Sequence, residues 1–306
     1  MVALPDQPPA DSGPTEEPAL ESRAPAAEAR IRLELGDCLD GMQALPADSI
    51  DVVITSPPYN LGLQYQGYED GGPRSEYLDW VEDWARQIQR LLAPEGSFFL
   101  NVGSKPTDPL VPFQVLQRLT EPAAGSAAPL FTLQNTIHWI KSIAIMRSEV
   151  GNYPGMTEDL VVGHYKPINS PRFLNDCHEH IFHLTHRADV ALDRLAVGVP
   201  YRDKSNVSRW SGGQDRHCRG NTWFLPYETI RRREQDRPHP ATFPVELPLR
   251  CLRLHGAGRA VTVMDPFLVL GATAVAAARL GLDFIGFEIA PEYLDYARER
   301  VRAELL

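Results

Sequence analysis

The chain has 306 residues, 43% of them hydrophobic and 23% charged, and its formal net charge is −10. A chain of this length buries a sizeable core as one large α/β domain or two small ones, and its ordinary composition excludes collagen-like, fibrous and wholly disordered classes. It contains no apolar run long enough for a helical membrane span, and at face value its acidity argues against a polyanionic partner.

Residues 31–35 alternate apolar and charged side chains and read as a strand that enters a loop at Gly36-Asp37. Residues 49–55 form a second strand, rich in β-branched residues and stopped at Ser56-Pro57-Pro58-Tyr59, because neither proline can continue a ladder. Apolar positions 77, 78, 81, 84, 88, 91 and 92 share one helical face, which predicts a helix over 75–92. Pro94-Glu95-Gly96 then turns the chain into a buried strand at 97–102, followed by a helix at 110–119. Strands are expected at 131–139 and 179–184, and polar, turn-forming residues dominate from 189 to 223. Regularity returns with a helix at 243–254, a strand at 260–264, a helix at 272–280, a strand at 284–287 and a final helix at 291–305. Strand–helix alternation at both ends predicts a parallel sheet covered on both faces, with the irregular middle inserted into it.

Charge is distributed unevenly over this plan. Residues 1–30 carry −4, residues 31–130 carry −8, residues 131–240 carry +3 and residues 241–306 carry −1. The first thirty residues, rich in Pro, Ala and Glu, read as a disordered tail. From Tyr201 to Arg237 nine Arg or Lys stand against five acids, which taken alone describes a solvated face. The N-terminus has no basic flank followed by an apolar stretch, so no secretory signal is expected. Cys38, Cys177, Cys218 and Cys251 lie far apart with no C-x-x-C, which fits a cytoplasmic location and argues against structural zinc.

Two segments carry chemistry. In the first, residues 51–60, a strand ends in Ser56-Pro57-Pro58-Tyr59 and so delivers a hydroxyl, a rigid carbonyl and an aromatic face to the carboxyl edge of a sheet. Ser56 Oγ and the Pro57 carbonyl can accept from one primary amine while Tyr59 offers a stacking surface, as a reader of an exocyclic amine on a planar base requires. In the second, residues 263–273, a strand leads through Asp265-Pro266-Phe267 to a small-residue loop with Gly271 and Thr273, and the next strand ends at Glu288. Gly271 permits close backbone approach, and Glu288 can bond a pair of ribose hydroxyls. Only one glycine lies between 265 and 280, so the pyrophosphate-binding G-x-G-x-x-G is absent. A cofactor with adenosine and no phosphates fits better than a dinucleotide, and S-adenosyl-L-methionine is the obvious one.

In this order the two segments resemble the amino-group DNA methyltransferases, specifically their circularly permuted β class, over nearly all of 31–306. Gly36-Asp37-Cys38 resembles the segment that faces the cofactor adenine in that family. Asn101-Val102-Gly103 and residues 137–141 resemble its strands after the catalytic loop. Residues 237–244, which include Phe243, resemble its element against the methionine part of the cofactor. The resemblance implies a Rossmann-like methyltransferase sheet, divided into a catalytic half at 31–184, a target-recognition insert at 185–225 and a cofactor-binding half at 226–306. It also implies double-stranded DNA as substrate, with a cognate restriction endonuclease as a possible partner. Asp37, Cys38, Phe243, Asp265, Pro266, Phe267, Gly271, Thr273 and Glu288 would hold the cofactor. The target base would be flipped out, stacked on Tyr59 and held by Ser56 and Pro57, with Pro58 fixing the loop. Ser rather than Asp at position 56 favours cytosine N4 over adenine N6 as the acceptor. Arg202, Lys204, Arg209, Arg216 and Arg219 are the candidates for phosphates and guanine edges, with Asn206 and Gln214 as further base readers.

One position departs from the family, which usually has Gly where this chain has Val269. A β-branched residue is not expected at φ > 0, so either the loop keeps an ordinary backbone or cofactor binding suffers, which leaves a catalytically silent DNA-binding relative as an alternative. His178-Glu-His-Ile-Phe-His183 does not make an H-E-x-x-H zinc motif, because Phe182 stands where the second histidine is needed. These alternating residues read as structural or DNA-facing, and no metal is expected. Trp80 and Trp84, four apart, read as core packing.

Overall fold

The computed structural model describes residues 29–65, 67–123, 125–151, 156–163, 170–210, 213–226, 242–259 and 262–306. Residues 1–28 of the expected tail, and 237–241 of the segment ahead of Phe243, lie outside them. In chain order the elements are β1 (Ile31–Leu35), α1 (Cys38–Gln43), β2 (Ile50–Thr55), the short β3 (Gln64–Tyr65) and β4 (Tyr68–Glu69), α2 (Arg74–Leu91), β5 (Leu92–Val102), α3 (Val111–Thr120) and β6 (Thr132–Ile140). There follow β7 (Ser142–Ile145), α4 (Arg147–Val150), β8 (Leu160–Gly163), β9 (His178–Thr185), α5 (Ser205–Trp210), β10 (Thr222–Phe224), α6 (Glu246–His255), β11 (Thr262–Asp265), α7 (Ala272–Arg279), β12 (Asp283–Glu288) and α8 (Pro291–Leu305).

Eight strands form one sheet in the order β1-β12-β11-β2-β5-β9-β6-β10. The β2 run Val52-Val53-Ile54 shows why strands here read as continuous apolar segments rather than alternating ones. Val52 and Ile54 enter the core beneath α6, α7 and α8, whereas Val53 enters the core beneath α1, α2 and α3. Both faces are covered, so both parities must be apolar. Helix α2 buries Tyr77, Val81, Trp84, Ala85, Ile88 and Leu91 along the stripe expected from their spacing.

The structure corrects the expected parallel sheet at one strand. β9 runs antiparallel to both of its neighbours, β5 and β6, while the other pairings in the sheet are parallel. The physical reason lies in its connection: no crossover helix joins β6 to β9 among the described residues, and the chain returns through the β7–β8 hairpin. The expected turn at Pro94-Glu95-Gly96 is instead an irregular stretch at the start of β5, where the β2–β5 register shifts. The irregular middle also contains two short elements that weak periodicity did not reveal, α5 and the edge strand β10, which pairs with β6.

Candidate active site

Four neighbouring parallel strands, β1, β12, β11 and β2, end at one edge of the sheet, and the segments that follow them enclose a cavity of about 120 Å³. Gly36, Asp37 and Cys38 line it after β1, and Ser56, Pro57, Pro58 and Tyr59 after β2. Pro266, Phe267 and Val269 follow β11, Phe287, Glu288 and Ile289 come from the end of β12, and Tyr68, Trp80 and Tyr293 complete the wall. The carboxyl edge of a parallel sheet is the usual ligand position, because loops splay apart there. Two sequence segments about two hundred residues apart therefore share one space.

The Ser56–Tyr59 loop is held rigidly. The Tyr77 hydroxyl donates to the Pro58 carbonyl at 2.9 Å. Beyond the loop, Asp70, 2% exposed, accepts from the backbone amides of Asn60, Leu61 and Leu63 at 2.7–3.1 Å. Asn60 adopts φ +58°, and Arg74 Nε donates to its side-chain oxygen at 2.8 Å. The Ser56 hydroxyl bonds the Tyr59 hydroxyl, which donates to Glu179 Oε2 at 3.1 Å. Asn101 Nδ2 donates to the Tyr59 hydroxyl and to Glu179 Oε2, both at 2.7 Å, and Lys141 pairs with the other Glu179 oxygen at 3.0 Å. A Cβ on Gly103 would stand 3.0 Å from both Glu179 and Tyr59, so any side chain there would press on the pair. Tyr59, expected to stack on a base, exposes only 6% of its surface and is anchored through its hydroxyl.

The opposite wall suits a flat, hydroxyl-bearing group. Phe267 lies 5.4 Å from Trp80, which lies 5.4 Å from Tyr68, so aromatic faces cluster on one side. Trp84 is fully buried as core packing, whereas its partner Trp80 lines the cavity. Glu288 accepts from the amides of Val269 and Ala290, each at 2.9 Å, and its carboxylate is thereby fixed at the rim. Burial nevertheless raises its pKa. Asp37 caps α1 by accepting from the Leu39 amide at 2.7 Å. Cys38 is pushed up to about 12 by burial and by Asp37, so its thiol stays protonated and no thiolate nucleophile faces the cavity.

Four of the expected cofactor residues stand behind the wall rather than in it. Asp265 is buried and accepts from the Thr55 hydroxyl at 2.6 Å, the Thr273 hydroxyl at 2.8 Å and the Phe267 amide at 3.1 Å. Burial pushes it up to about 7 despite these donors. Thr273 is fully buried and ties α7 to β11 through that bond. Gly271, at φ +73°, makes its close approach to helix α8, where a Cβ would meet Ala297 at 2.9 Å. Phe243 packs against the core beneath α6–α8. Val269 departs from the expectation for a β-branched residue: the loop does not keep an ordinary backbone there but holds the left-handed turn, at φ +50°.

Of the basic candidates, Arg202, Lys204 and Arg209 are exposed, and Lys204 pairs with Asp215. Arg216 and Arg219 donate to the carbonyls of Gly198 and Val197, both at 2.8 Å, and so brace the loop they stand on. The sequence gives no role to Asp70 or Glu179, and it places Asn101 and Lys141 only within segments that resemble the family's strands after the catalytic loop. For Glu179 the available signal is an acid at a parity of β9 otherwise occupied by Ile181, His183 and Thr185.

Comparisons with known proteins identify the family. The family model described as DNA methylase (N6_N4_Mtase) matches residues 50–299. The Type II methyltransferase M.ScaI of Streptomyces caespitosus is 28% identical over 284 residues, covering 90% of this chain and 82% of its own. The DNA adenine methyltransferase YhdJ of Escherichia coli K12 is 24% identical over 271 residues, covering 87% and 81%. Among solved structures, the PvuII DNA methyltransferase (cytosine-N4-specific) shares the fold with a TM-score of 0.61 at 20% identity, over 89% of this chain and 86% of that one. Other fold neighbours include complexes with S-adenosyl-L-methionine. With two sequence segments built into one cavity and a family match spanning most of its length, the chain belongs to the N6/N4 DNA methylase family.

Proposed function

We propose that this chain methylates the exocyclic amine of a flipped base at a specific site in double-stranded DNA, with S-adenosyl-L-methionine as donor and cytosine N4 as acceptor. The observation that carries the reading is the shared cavity, which sets the Ser56–Tyr59 loop opposite Phe267 and Glu288. The site suits the cofactor's adenosine: Trp80, Phe267 and Tyr293 offer flat apolar surface, and Asp37 and Glu288 offer carboxylates for hydroxyls and amines. When bound, the cofactor supplies an activated methyl group on a sulfonium.

In this reading Ser56 and the Pro57 carbonyl hold the amine hydrogens and aim the nitrogen lone pair, so rate comes from orientation and from stabilising positive charge on the amine. A methylated amine must shed a proton. The run from Ser56 through the Tyr59 hydroxyl ends on the Glu179 carboxylate, which can take it. A base stacked on Tyr59 requires the ring to be uncovered first, since 6% is exposed. Recognition falls to residues 185–225, led by the exposed Arg202, Lys204 and Arg209. The permuted motif order belongs to the same proposal, supported by β11 lying beside β2 in the sheet although it follows β2 by about two hundred residues. A cytoplasmic location and a cognate restriction endonuclease belong to the same proposal, alongside the similarity to a Type II methyltransferase. No helix among the described residues is long and apolar enough to cross a membrane.

Adenine N6 is the second reading, favoured by the similarity to YhdJ. Incubating DNA of varied sequence with labelled cofactor and identifying the modified nucleoside distinguishes the two. N4-methylcytosine is expected, N6-methyladenine overturns the base, and no transfer despite cofactor binding leaves the silent DNA-binding relative. Ser56→Ala should lower kcat on the order of 10²–10³-fold, as loss of one preorganised hydrogen-bonding group does, with cofactor affinity unchanged.

A further inference from the structure

We propose that His138, His178 and His180 form a binding site for a divalent transition metal of the Zn²⁺ and Ni²⁺ class, which staples β6 to β9. Each ring offers a nitrogen, and the three nitrogens lie within 4.8 Å of one another. The placement follows from the ladder. His138 stands directly opposite His180 in the antiparallel β6–β9 pair, and His178 lies two positions from His180 on the same face. Directly paired side chains have Cβ atoms about 5 Å apart, and alternate residues of one strand are separated by about 6.5–7 Å. That triangle lets three imidazoles converge on a single point. The ring centroids are 5.3 Å apart for His138–His180, 5.1 Å for His178–His180 and 6.0 Å for His138–His178.

Metal–imidazole bonds of about 2.0–2.1 Å place tetrahedral ligand nitrogens roughly 3.3 Å apart, so small side-chain rotations close the site. His180 Nδ1 is buried without a hydrogen-bond partner, an acceptor for which a cation would provide. Imidazole donors without a thiolate suit Zn²⁺, Ni²⁺ and Cu²⁺ rather than Mg²⁺ or Ca²⁺, and three protein ligands leave room for water. The spacing escapes the H-E-x-x-H pattern because that motif describes one helical face, whereas here the third ligand comes from a neighbouring strand.

The site sits where the chain leaves the sheet and returns to it. The segment between β6 and β9 starts at Lys141, whose amide donates to the Cys177 carbonyl at 2.7 Å just before His178. The Ser142 amide reaches the same carbonyl at 3.4 Å, and a metal would close this neck with bonds stronger than these hydrogen bonds. It would also fix the strand end that carries Glu179, which lies between two of the ligands and points to the opposite face.

Calorimetry on untagged, chelator-treated full-length protein with ZnCl₂ or NiCl₂ tests the proposal. One ion per chain is expected, together with a rise in Tm on adding Ni²⁺. Loss of an outer partner alone typically costs about 10–100-fold in metal affinity, so His178→Ala, at an exposed position, should weaken binding at least tenfold. The same variant should lose the Tm response while keeping the metal-free Tm, and His217→Ala should change nothing. No binding at millimolar metal, or undiminished binding in both His178→Ala and His138→Ala, overturns the site. So does a thiolate charge-transfer band with Co²⁺, which would move the ion to a cysteine.

Discussion

Three buried side chains, His183, Ser97 and His255, together with the half-buried Asn135, fix a direction of hydrogen bonding through the core. Asn135 Nδ2 donates to His183 Nδ1 at 3.1 Å, which places the ring proton on Nε2 facing Ser97 Oγ at 2.9 Å. The Ser97 hydroxyl hydrogen then goes to His255 Nδ1 at 2.8 Å. Burial drives His183 down to about 3 and His255 down to about 4, because a charged imidazole cannot be solvated there. With folded values below the unfolded 6.5, the unfolded chain takes up protons first as pH falls. Stability is therefore intact above about 6.5 and is lost between there and the folded values, at about 1.4 kcal/mol per pH unit per histidine. Asp265, raised to about 7, works in the opposite direction over the same range, so a difference between proteins is the clean readout. In urea titrations at pH 7 and pH 5, His255→Leu should lose less stability on acidification than the parent, by about 1.4 kcal/mol for each unit below 6.5. Nothing in the sequence marks Ser97, His183 and His255 as partners. Each looks like an ordinary polar residue on a strand or at a helix end, and only the sheet order brings them together. The position of Ser56-Pro57-Pro58-Tyr59 at the cavity was legible for the opposite reason: a strand stopped by two prolines is written in consecutive residues.

At the level of elements, the turn from β11 into α7 shows how similar backbone angles can arise from different causes. Gly271 and Val269 both have positive φ, at +73° and +50°. Behind Gly271 stands Ala297 on α8, so Gly271→Ala meets both a left-handed backbone, costing about 1–2 kcal/mol, and a steric clash costing about 1–3 kcal/mol. A clear fall in Tm is expected. Val269→Gly relieves a strain of about 1–2 kcal/mol while giving up part of a half-buried side chain worth about as much. Its Tm should stay close to the parent's, and differential scanning calorimetry on the two variants separates the cases. Helices and strands with strong apolar periodicity, α2 and β2 among them, were legible because burial on one or both faces dictates their composition. The direction of β9 was not, since an antiparallel and a parallel strand of this length carry the same residues; what decides is the connection, and the β7–β8 hairpin has no distinctive period.

For the molecule as a whole, a net charge of −10 and a polyanionic substrate are compatible because the charges are segregated. The acidic body repels DNA, and Arg202, Lys204 and Arg209 stand exposed in the one stretch with positive balance. Arg209→Ala should weaken binding across sequences and lower the slope of log K against log salt by about 0.9, the contribution of one phosphate contact. Arg216 and Arg219, tied to backbone carbonyls, should act through the shape of their loop instead. The sheet order has a further consequence for how the protein comes into being. Thr55 bonds Asp265 across 210 positions, and β2 lies between β5, which follows it closely in the chain, and β11, which is synthesised far later. On a ribosome adding about 5–20 residues per second, β2 waits for β11 with one apolar edge open. Until then the nascent chain has the Ser56–Tyr59 loop without its facing wall, and an edge strand of Val-Val-Ile ready to pair with any neighbour. The cavity is therefore complete only when the last quarter of the chain has joined the sheet.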